Sequence, residues 1–351
     1  MMTRSMAKPN DESPAAAPVV IDGSMGEGGG QILRTSLSAS LLTGIAFEMR
    51  RIRARRRRPG LLAQHLTAVR AAARIGDAAV EGARLGSDRL VFRPGPVRPG
   101  RYRFDVGTAG SATLVLQTLL VPLAESGQES EVTIVGGTHN PGAPSYEFLD
   151  LAFLPVLRRM GLEADLDLER PGFHPAGGGR IVATIRGTRW RPLELTDRGE
   201  IRTVEARAIV SRLPISIAHR ELAVLENRLG WPGSALVAEE VEADGPGNAV
   251  MAVVESEHVT EVFTGFGRRG VPAEQVAGSV AAEVETYLRA GVPVGIHLAD
   301  QLQLPLVRAS GSRFLTHSPS RHFETNSAVL RAFFRTNLAT EESEAGILVR
   351  S

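Results

Sequence analysis

The sequence lacks the features that are typical of secreted and membrane-spanning proteins. None of its 351 residues is cysteine, which excludes disulfides, Cys-ligated zinc and thiolate catalysis and is typical of a reducing compartment. The longest apolar stretch, residues 112–124, contains Thr113, Gln117 and Thr118 and is too short to span a bilayer. Residues 1–17 are polar and have no apolar core of the signal-peptide type. We therefore expect a cytoplasmic protein without a membrane segment, with a disordered tail at residues 1–17.

A large excess of charge of one sign is also lacking. The chain has 40 basic and 39 acidic residues, so its overall charge does not indicate a polyanionic partner. The local distribution differs, because seven arginines lie between positions 50 and 58. The planar guanidinium group of arginine matches phosphate with two hydrogen bonds. A run of arginines is equally typical of a solvated basic surface, and the sequence leaves both interpretations open.

Apolar residues recur in an order that repeats three times along the chain. In each copy a glycine-rich or polar loop introduces a helix, a short strand follows, and a second helix comes after another loop. The predicted first helices are 32–42, 112–120 and 302–309, the strands are 46–52, 131–135 and 312–315, and the second helices begin near Leu61, Tyr146 and Asn326. This pattern predicts an α/β (α+β) fold built from repeated units.

A segment of different character separates the second copy from the third. It contains strand-like runs at 204–210 and 249–254 and helical runs at 218–229 and 276–288. We predict a small α/β domain at residues 195–289, inserted into a larger domain that comprises residues 18–194 and 290–340.

The most distinctive stretch is a glycine-rich loop. Five glycines lie between Gly23 and Gly30, immediately before the first predicted helix. Glycine lets backbone amides turn toward a ligand, and a helix N-terminus favours anions. Glu27, in the middle of the loop, would repel bare phosphate but suits a divalent cation bound between the carboxylate and phosphate oxygens. The alternative is a tight turn in which Glu27 interacts with the helix dipole. No Gly-Lys-Ser/Thr follows, so the loop is not a P-loop.

Histidine is the strongest candidate for a nucleophile. Of the eight histidines, His219 and His258 lie in the predicted insert and His139 and His174 lie in loops rich in proline and glycine, which leaves four: His65, His297, His317 and His322. No pair has the spacing of a helical metal site. We expect His322 to precede a helix capped by Thr325 or Asn326, where the dipole keeps the imidazole neutral and able to attack phosphorus.

Four segments together resemble the RNA 3′-terminal phosphate cyclases. They are Asp22-Gly-Ser-Met-Gly-Glu-Gly-Gly-Gly-Gln-Ile-Leu-Arg-Thr, the stretch from Arg53 and Arg56 to Pro59-Gly-Leu-Leu-Ala-Gln-His-Leu, His297-Leu-Ala-Asp-Gln-Leu, and His322-Phe-Glu-Thr-Asn. The similarity extends from about Val19 to about Phe334, with the segments in the family's order. It implies a large domain of three repeated α/β units, each with a four-stranded sheet and two helices, and one smaller inserted α/β domain.

The resemblance also implies a reaction and its participants. In this family, the histidine of the His-x-x-Thr-Asn motif attacks the α-phosphorus of ATP and becomes linked to AMP. The AMP then passes to the 3′-terminal phosphate of an RNA, and the neighbouring 2′-hydroxyl closes a 2′,3′-cyclic phosphate. ATP is thus the co-substrate, Mg²⁺ or Mn²⁺ the metal, and RNA with a 3′-terminal phosphate the partner. A homodimer is one assembly that the sequence leaves open.

The resemblance assigns each matching residue a role. His322 matches the nucleophile and Glu27 the metal-binding glutamate. The positions that match phosphate- or RNA-end-binding residues are Arg34, Arg53, Arg56, Gln64 and His65. The positions that match the ATP pocket are Gln117, Pro144, His297, Asp300 and Gln301, with His297 where some members carry tyrosine.

Arg55 departs from the family's pattern because a glycine is usual at that position.

The sequence leaves two alternative functions open. One is a non-catalytic, RNA-binding homologue that acts in ribosome assembly, since the same fold occurs in such proteins. The other is an enolpyruvyl transferase, which is built from similar repeats.

Overall fold

The computed structural model describes residues 17–335 and 338–351. The first unit consists of β1 (Val19–Asp22), α1 (Gly30–Thr43), β2 (Phe47–Arg50), α2 (Ala63–Ile75), β3 (Ala79–Glu81) and β4 (Leu90–Arg93). Its four-stranded sheet has the order β1-β2-β4-β3. The β1–β2 pair is parallel, as a helical crossover allows, and the other pairs are antiparallel.

The second unit repeats this topology. It consists of β5 (Arg101–Asp105), α3 (Ala112–Glu125), β6 (Ser130–Gly136), a π-helical segment (Phe148–Phe153) that continues into α4 (Leu154–Arg159), β7 (Leu162–Arg170) and β8 (Gly179–Thr188). The strand order β5-β6-β8-β7 corresponds position by position to that of the first unit.

A fourth sheet interrupts the third unit. The third unit starts with the short strand β9 (Glu194–Leu195), and the interrupting segment consists of β10 (Ile201–Ser211), α5 (Ser216–Leu229), β11 (Leu236–Glu240), β12 (Gly247–Ser256), β13 (Thr260–Phe266) and α6 (Ala273–Ala290). Its strand order is β11-β10-β12-β13. We call residues 201–290 the inserted segment.

The third unit then resumes. It continues with α7 (Ile296–Arg308), β14 (Arg313–Thr316), α8 (Arg321–Phe333), β15 (Ala339–Ser343) and β16 (Gly346–Arg350). The order β9-β14-β16-β15 is again that of the first unit, and β9 pairs with β14 in parallel. The interruption therefore falls between the first strand and the first helix of the third unit.

Aromatic packing holds the first and third units together. Phe47 of β2 stacks on Phe92 of β4 with ring centroids 5.7 Å apart. The same Phe47 meets Phe333 of α8 edge to face at 5.9 Å. Phe47 and Phe92 are fully buried, and each such side chain contributes roughly 1.5–3 kcal/mol. This contact places α8, which carries His322, against the first unit.

The expected α/β fold of repeated four-stranded sheets is confirmed, but several element bounds were wrong. The strand predicted to reach Ile52 ends at Arg50, because Arg51 and Arg53 have φ values of 55° and 53°. The helix predicted near Asn326 begins at Arg321, and the helix predicted from residue 302 begins at Ile296.

Other expectations are not tested. The domain boundaries at 18–194, 195–289 and 290–340 stay a prediction. The predicted tail, apart from Ala17, lies outside the described residues. Within the part of the chain that the structure describes, no helix combines the length and the apolar character needed to cross a bilayer.

Candidate active site

A cleft of about 800 Å³ lies where the three units and the inserted segment meet. All the residues to which the resemblance assigns a role line it: Glu27, Arg34, Arg53, Arg56, Gln64 and His65 from the first unit, Gln117 and Pro144 from the second, and His297, Asp300, Gln301 and His322 from the third. A concave site with convergent polar and titratable groups is typical of enzymes. His317, the other histidine of its loop, does not line the cleft.

Close approach of neighbouring side chains explains the glycine-rich loop. Gly26 and Gly28 have φ values of 52° and 59°, which favour glycine. A Cβ atom on Gly26 would lie 2.0 Å from Thr325 Oγ1, and one on Gly30 would lie 2.1 Å from His65 Nε2. Helix α1 begins at Gly30 without a side-chain cap on its first amides. The loop therefore presents free N–H groups beside the cleft, as an anion site requires.

His322 lies in the first turn of α8, not before the helix as expected. The capping residue is Ser320, whose Oγ accepts a hydrogen bond from the Phe323 N–H at 3.0 Å, so the prediction of Thr325 or Asn326 as the cap was wrong. The physical reason is that both of those side chains have other partners: Thr325 Oγ1 donates to the Arg321 carbonyl at 2.7 Å, and Asn326 Nδ2 donates to the Asp300 carbonyl at 3.3 Å.

The ring of His322 faces the carboxylate of Glu27. Their Nε2 and Oε2 atoms lie 2.9 Å apart, and the His322 side chain is 42% exposed. Partial burial lowers the pKa of His322, with Arg56 and Arg34 acting in the same direction and Glu27 opposing them. The imidazole is therefore neutral at pH 7, which a nucleophile requires.

Glu27 is also paired with Arg56, at 3.3 Å from Oε2 to Nη2. Within the described residues, no group of three or more His, Cys, Asp or Glu side chains forms a protein-only metal site. Mg²⁺ is commonly held by one or two carboxylates together with substrate phosphates and water. A single, partly exposed carboxylate beside an anion-binding loop fits that mode of binding.

The arginines of the cleft are held in different ways. Arg53 Nη1 donates to the carbonyls of Arg58 and Gly60, at 2.5 and 3.0 Å, so the backbone orients its guanidinium group. Arg34 projects from α1, and burial lowers its pKa to about 10, which leaves it charged at pH 7. No carboxylate of the described residues forms an ion pair with it. An unpaired, half-buried cation favours an anionic ligand.

Gln64 and His65 lie at the start of α2, as expected. His65 is 3% exposed, so it does not lie on the solvent-facing surface of α2. Its Nδ1 accepts a hydrogen bond from the Leu62 N–H at 3.2 Å, so the proton of the neutral ring belongs on Nε2. Burial, then Arg34 and Arg53, lower the pKa of His65 to about 3. Gln64 Oε1 accepts from the Ser111 N–H at 3.0 Å.

Asp300 links the helices around the nucleophile. Its Oδ1 accepts a hydrogen bond from Ser320 Oγ at 2.6 Å. Asn326 Oδ1 accepts one from Thr35 Oγ1 at 2.8 Å, while its Nδ2 binds the Asp300 carbonyl. Burial raises the pKa of Asp300 to about 6. These bonds connect α1, α7 and α8 and fix the position of His322.

The remaining predicted residues line the side of the cleft formed by α3 and α7. Gln117 Nε2 donates to Gln301 Oε1 at 3.0 Å, across two units. The Pro144 carbonyl accepts from Thr113 Oγ1 at 2.8 Å. His297 Nε2 lies 3.6 Å from Glu283 Oε2. Glu283 belongs to α6, so the inserted segment contributes to this side.

Several lining residues were missed from the sequence. Thr264, Arg268 and Glu283 belong to the inserted segment, which the sequence pattern sets apart from the repeated units. No local motif marks them, because only the packing of α6 and β13 against the units brings them to the cleft. The cap Ser320 had a local signal, since it stands two residues before His322 and serine is a preferred cap.

Comparison with known proteins agrees with the resemblance in the sequence. A family model described as "RTC: RNA 3′-terminal phosphate cyclase" matches residues 25–340. The chain is similar to a protein of Ralstonia nicotianae named RNA 3′-terminal phosphate cyclase, with 48% identity over 97% of this chain and 99% of the relative. Proteins of the same name from Ectopseudomonas mendocina (46% identity, 94% and 96% of the two chains) and Koribacter versatilis (48%, 93% and 92%) also match.

Proposed function

Because the chain belongs to the RNA 3′-terminal phosphate cyclase family, we propose that it closes 2′,3′-cyclic phosphates on RNA through a covalent histidine–AMP intermediate. Membership of the family makes the protein a cyclase in the general sense and removes the enolpyruvyl transferase alternative. The finer proposal concerns ATP, the metal and the role of each side chain. The observation that carries it is the 2.9 Å contact between His322 Nε2 and Glu27 Oε2 in a cleft that Arg34, Arg53 and Arg56 also line.

In the first step, His322 Nε2 attacks the α-phosphorus of ATP. The bond from that phosphorus to the bridging oxygen breaks, and pyrophosphate leaves. In the neutral ring that attacks, Nε2 supplies the lone pair and Nδ1 carries the proton, which is lost after the P–N bond has formed. Glu27, 2.9 Å from Nε2, lies directly beside the reacting nitrogen. Arg34 and the amides at the start of α1 are suited to binding the charge that develops on the phosphoryl oxygens.

In the second step, an oxygen of the RNA 3′-terminal phosphate attacks the phosphorus of the histidine-bound AMP. The P–N bond breaks, and a diphosphate linkage joins the RNA to AMP. The 2′-hydroxyl then attacks the terminal phosphorus, loses its proton and releases AMP. We assign the terminal phosphate to Arg53, Arg56, Gln64 and His65, all of which belong to the first unit and line the cleft. Neutral His65 donates through Nε2.

The nucleotide base belongs on the other side of the cleft. Gln117 and Gln301 form a polar pair there, and Pro144 and His297 supply surfaces for stacking against a purine. A bound Mg²⁺ or Mn²⁺ would offset phosphate charge, and Glu27 is the residue that would hold it. The homodimer and the cytoplasmic location stay predictions.

The proposal is tested by incubation with ATP labelled at its α-phosphate. The expected result is a protein-bound label that acid removes and alkali does not, as for a phosphoramidate. His322→Ala should abolish the label without unfolding the protein, and His317→Ala is the matched control that should keep it. A label that persists in His322→Ala would mean that another residue is the nucleophile.

Two further measurements separate the alternatives. Cyclisation of a 3′-phosphorylated oligoribonucleotide, detected as phosphatase resistance of the end, must depend on both ATP and His322. Glu27→Ala should shift the metal dependence of labelling to higher metal concentration. A folded protein that binds RNA but incorporates no label would instead favour the non-catalytic homologue.

A further inference from the structure

The seven arginines between positions 50 and 58 fall into two groups. The first group has protein partners: Arg50 pairs with Glu48, Arg51 with Asp22, Arg56 with Glu27, and Arg53 with backbone carbonyls. The second group, Arg55, Arg57 and Arg58, is exposed. In the chain as described, none of these three guanidinium groups has a carboxylate within ion-pair distance. We call these three residues the arginine patch.

The patch is built on a closed loop. The Gly60 N–H donates to the Ile52 carbonyl at 2.8 Å, and the Ile52 N–H donates to the Asp88 carbonyl at 2.9 Å, which closes the base of the loop. The side chain of Ile52 is buried and anchors it. The Arg53 side chain also stabilises the loop, because its Nη1 donates hydrogen bonds to the carbonyls of Arg58 and Gly60. The patch arginines therefore project from a defined turn.

The patch adjoins the phosphate side of the cleft but lies outside it. Arg53 and Arg56 line the cleft, whereas the three patch residues do not. Arg55 lies over the glycine-rich loop, since a Cβ atom on Gly28 would be 3.5 Å from Arg55 Cβ. The patch belongs to the same short loop as Arg53 and Arg56, so a substrate whose end is bound by those two residues would have its next phosphates close to the patch.

Uncompensated charge at this place favours a polyanion. Like charges this close together repel one another; burial first, and then the neighbouring Arg56, lower the pKa of Arg53 in the same loop. The phosphates of ATP must lie inside the cleft, near His322, and cannot account for arginines outside it. We propose that Arg55, Arg57 and Arg58 bind backbone phosphates of single-stranded RNA directly upstream of its 3′-terminal phosphate. This inference rests on the proposed function, which places the RNA end at Arg53 and Arg56.

The first test measures RNA binding without the reaction. A 5′-labelled dodecaribonucleotide with a 3′-hydroxyl end is titrated with protein at several salt concentrations, and binding is followed by fluorescence anisotropy. In a triple variant, Arg55→Ser with Arg57→Ser and Arg58→Ser, the slope of log affinity against log salt should become shallower by about 2, because each lost contact to a single strand removes about 0.7. Lysine at the same three positions should preserve the slope.

A matched control removes the same charge elsewhere. Arg70, Arg103 and Arg289 are exposed, and none lines the cleft. Their triple serine variant should keep the slope of the unaltered protein. An equal change in the control and patch variants would overturn the proposal, because the effect would then follow from net charge alone.

The second test uses turnover and substrate length. The serine patch variant should raise the KM for a 3′-phosphorylated dodecaribonucleotide while leaving that for a dinucleotide nearly unchanged, since only the longer substrate reaches the patch. Labelling with α-labelled ATP should also be unchanged. An equal loss with both lengths, or a loss of labelling, would contradict the proposal. If the unaltered protein bound RNA with the expected slope but did not cyclise it, the proposed function would fail while the patch remained an RNA-binding surface.

Discussion

Replacing Glu261 with glutamine should stabilise the protein at alkaline pH and have little effect at acidic pH. Glu261 lies in β13 of the inserted segment and is 1% exposed. Its Oε1 accepts a hydrogen bond at 2.6 Å from the N–H of Gly295, the residue that caps α7. Burial raises the pKa of Glu261 to about 8, although Gly295 and His297 oppose the shift. Tyr287 is the other titratable group beside it.

The direction in which the free energy of unfolding changes with pH follows from proton linkage. The folded protein keeps the proton of Glu261 up to a pKa of about 8, whereas the unfolded chain releases it near 4.5. Between these values the folded state binds more protons, so the free energy of unfolding falls as pH rises and levels off above about 8. At about 1.4 kcal/mol per unit, the ionisation of Glu261 removes up to about 5 kcal/mol. Glutamine keeps the size and the acceptor atom but does not ionise.

The assay is urea unfolding at a pH near 5 and at a pH above 8. The pKa values of Asp300 and Glu221 are also raised, to about 6 and about 7. These two groups lower the free energy of unfolding with rising pH in both proteins, so the quantity to follow is the difference in that free energy between the variant and its parent. That difference should grow with pH. Glu226→Gln, an exposed position on α5, is the control and should show no growth. Parallel loss of stability in the Glu261→Gln variant and its parent would refute the reasoning.

Two further predictions concern the surroundings of the nucleophile. Gly26→Ala should abolish AMP labelling, because its Cβ would meet Thr325 Oγ1 at 2.0 Å, whereas Gly44→Ala, at φ 71° with open space around it, should be destabilised but still take the label. Equal labelling of the two variants would argue against the close contact. Ser320→Ala should destabilise α8 by about 1 kcal/mol and slow AMP labelling, since it removes the cap and the bond to Asp300. Ser320→Thr keeps both bonds and should restore both properties, and a normal labelling rate in the alanine variant would show that the cap does not position His322.

Much of the site could be predicted from the sequence, because the residues of each site segment lie close together in the chain. The glycine-rich loop, the arginine run and the His-x-x-Thr-Asn segment each carry their chemistry within a few residues. The order of helices and strands was also readable, since burial on one face imposes a period on each element. The exact start of α8 was not, because Thr325 and Asn326 look like caps until their partners in α7 and α8 are known.

Contacts between distant segments lay beyond prediction. Nothing near Glu283 or Arg268 indicates that the inserted segment forms part of the cleft. The strand β9 has two residues, too few to show a period, and is recognisable only because it pairs with β14. The division of the arginine run into paired and unpaired side chains depended on where Asp22, Glu27 and Glu48 lie in space.

The sequence by itself determined the α/β repeat, the family and the residue types available for phosphate chemistry, because periodicity and short motifs are local properties of the chain. Only the tertiary structure decided that His322 faces Glu27, that His65 is buried and neutral, and that three arginines have no ion-pair partner in the described part of the chain. Those properties depend on burial and on distances between segments hundreds of residues apart, such as the bond between Thr35 and Asn326.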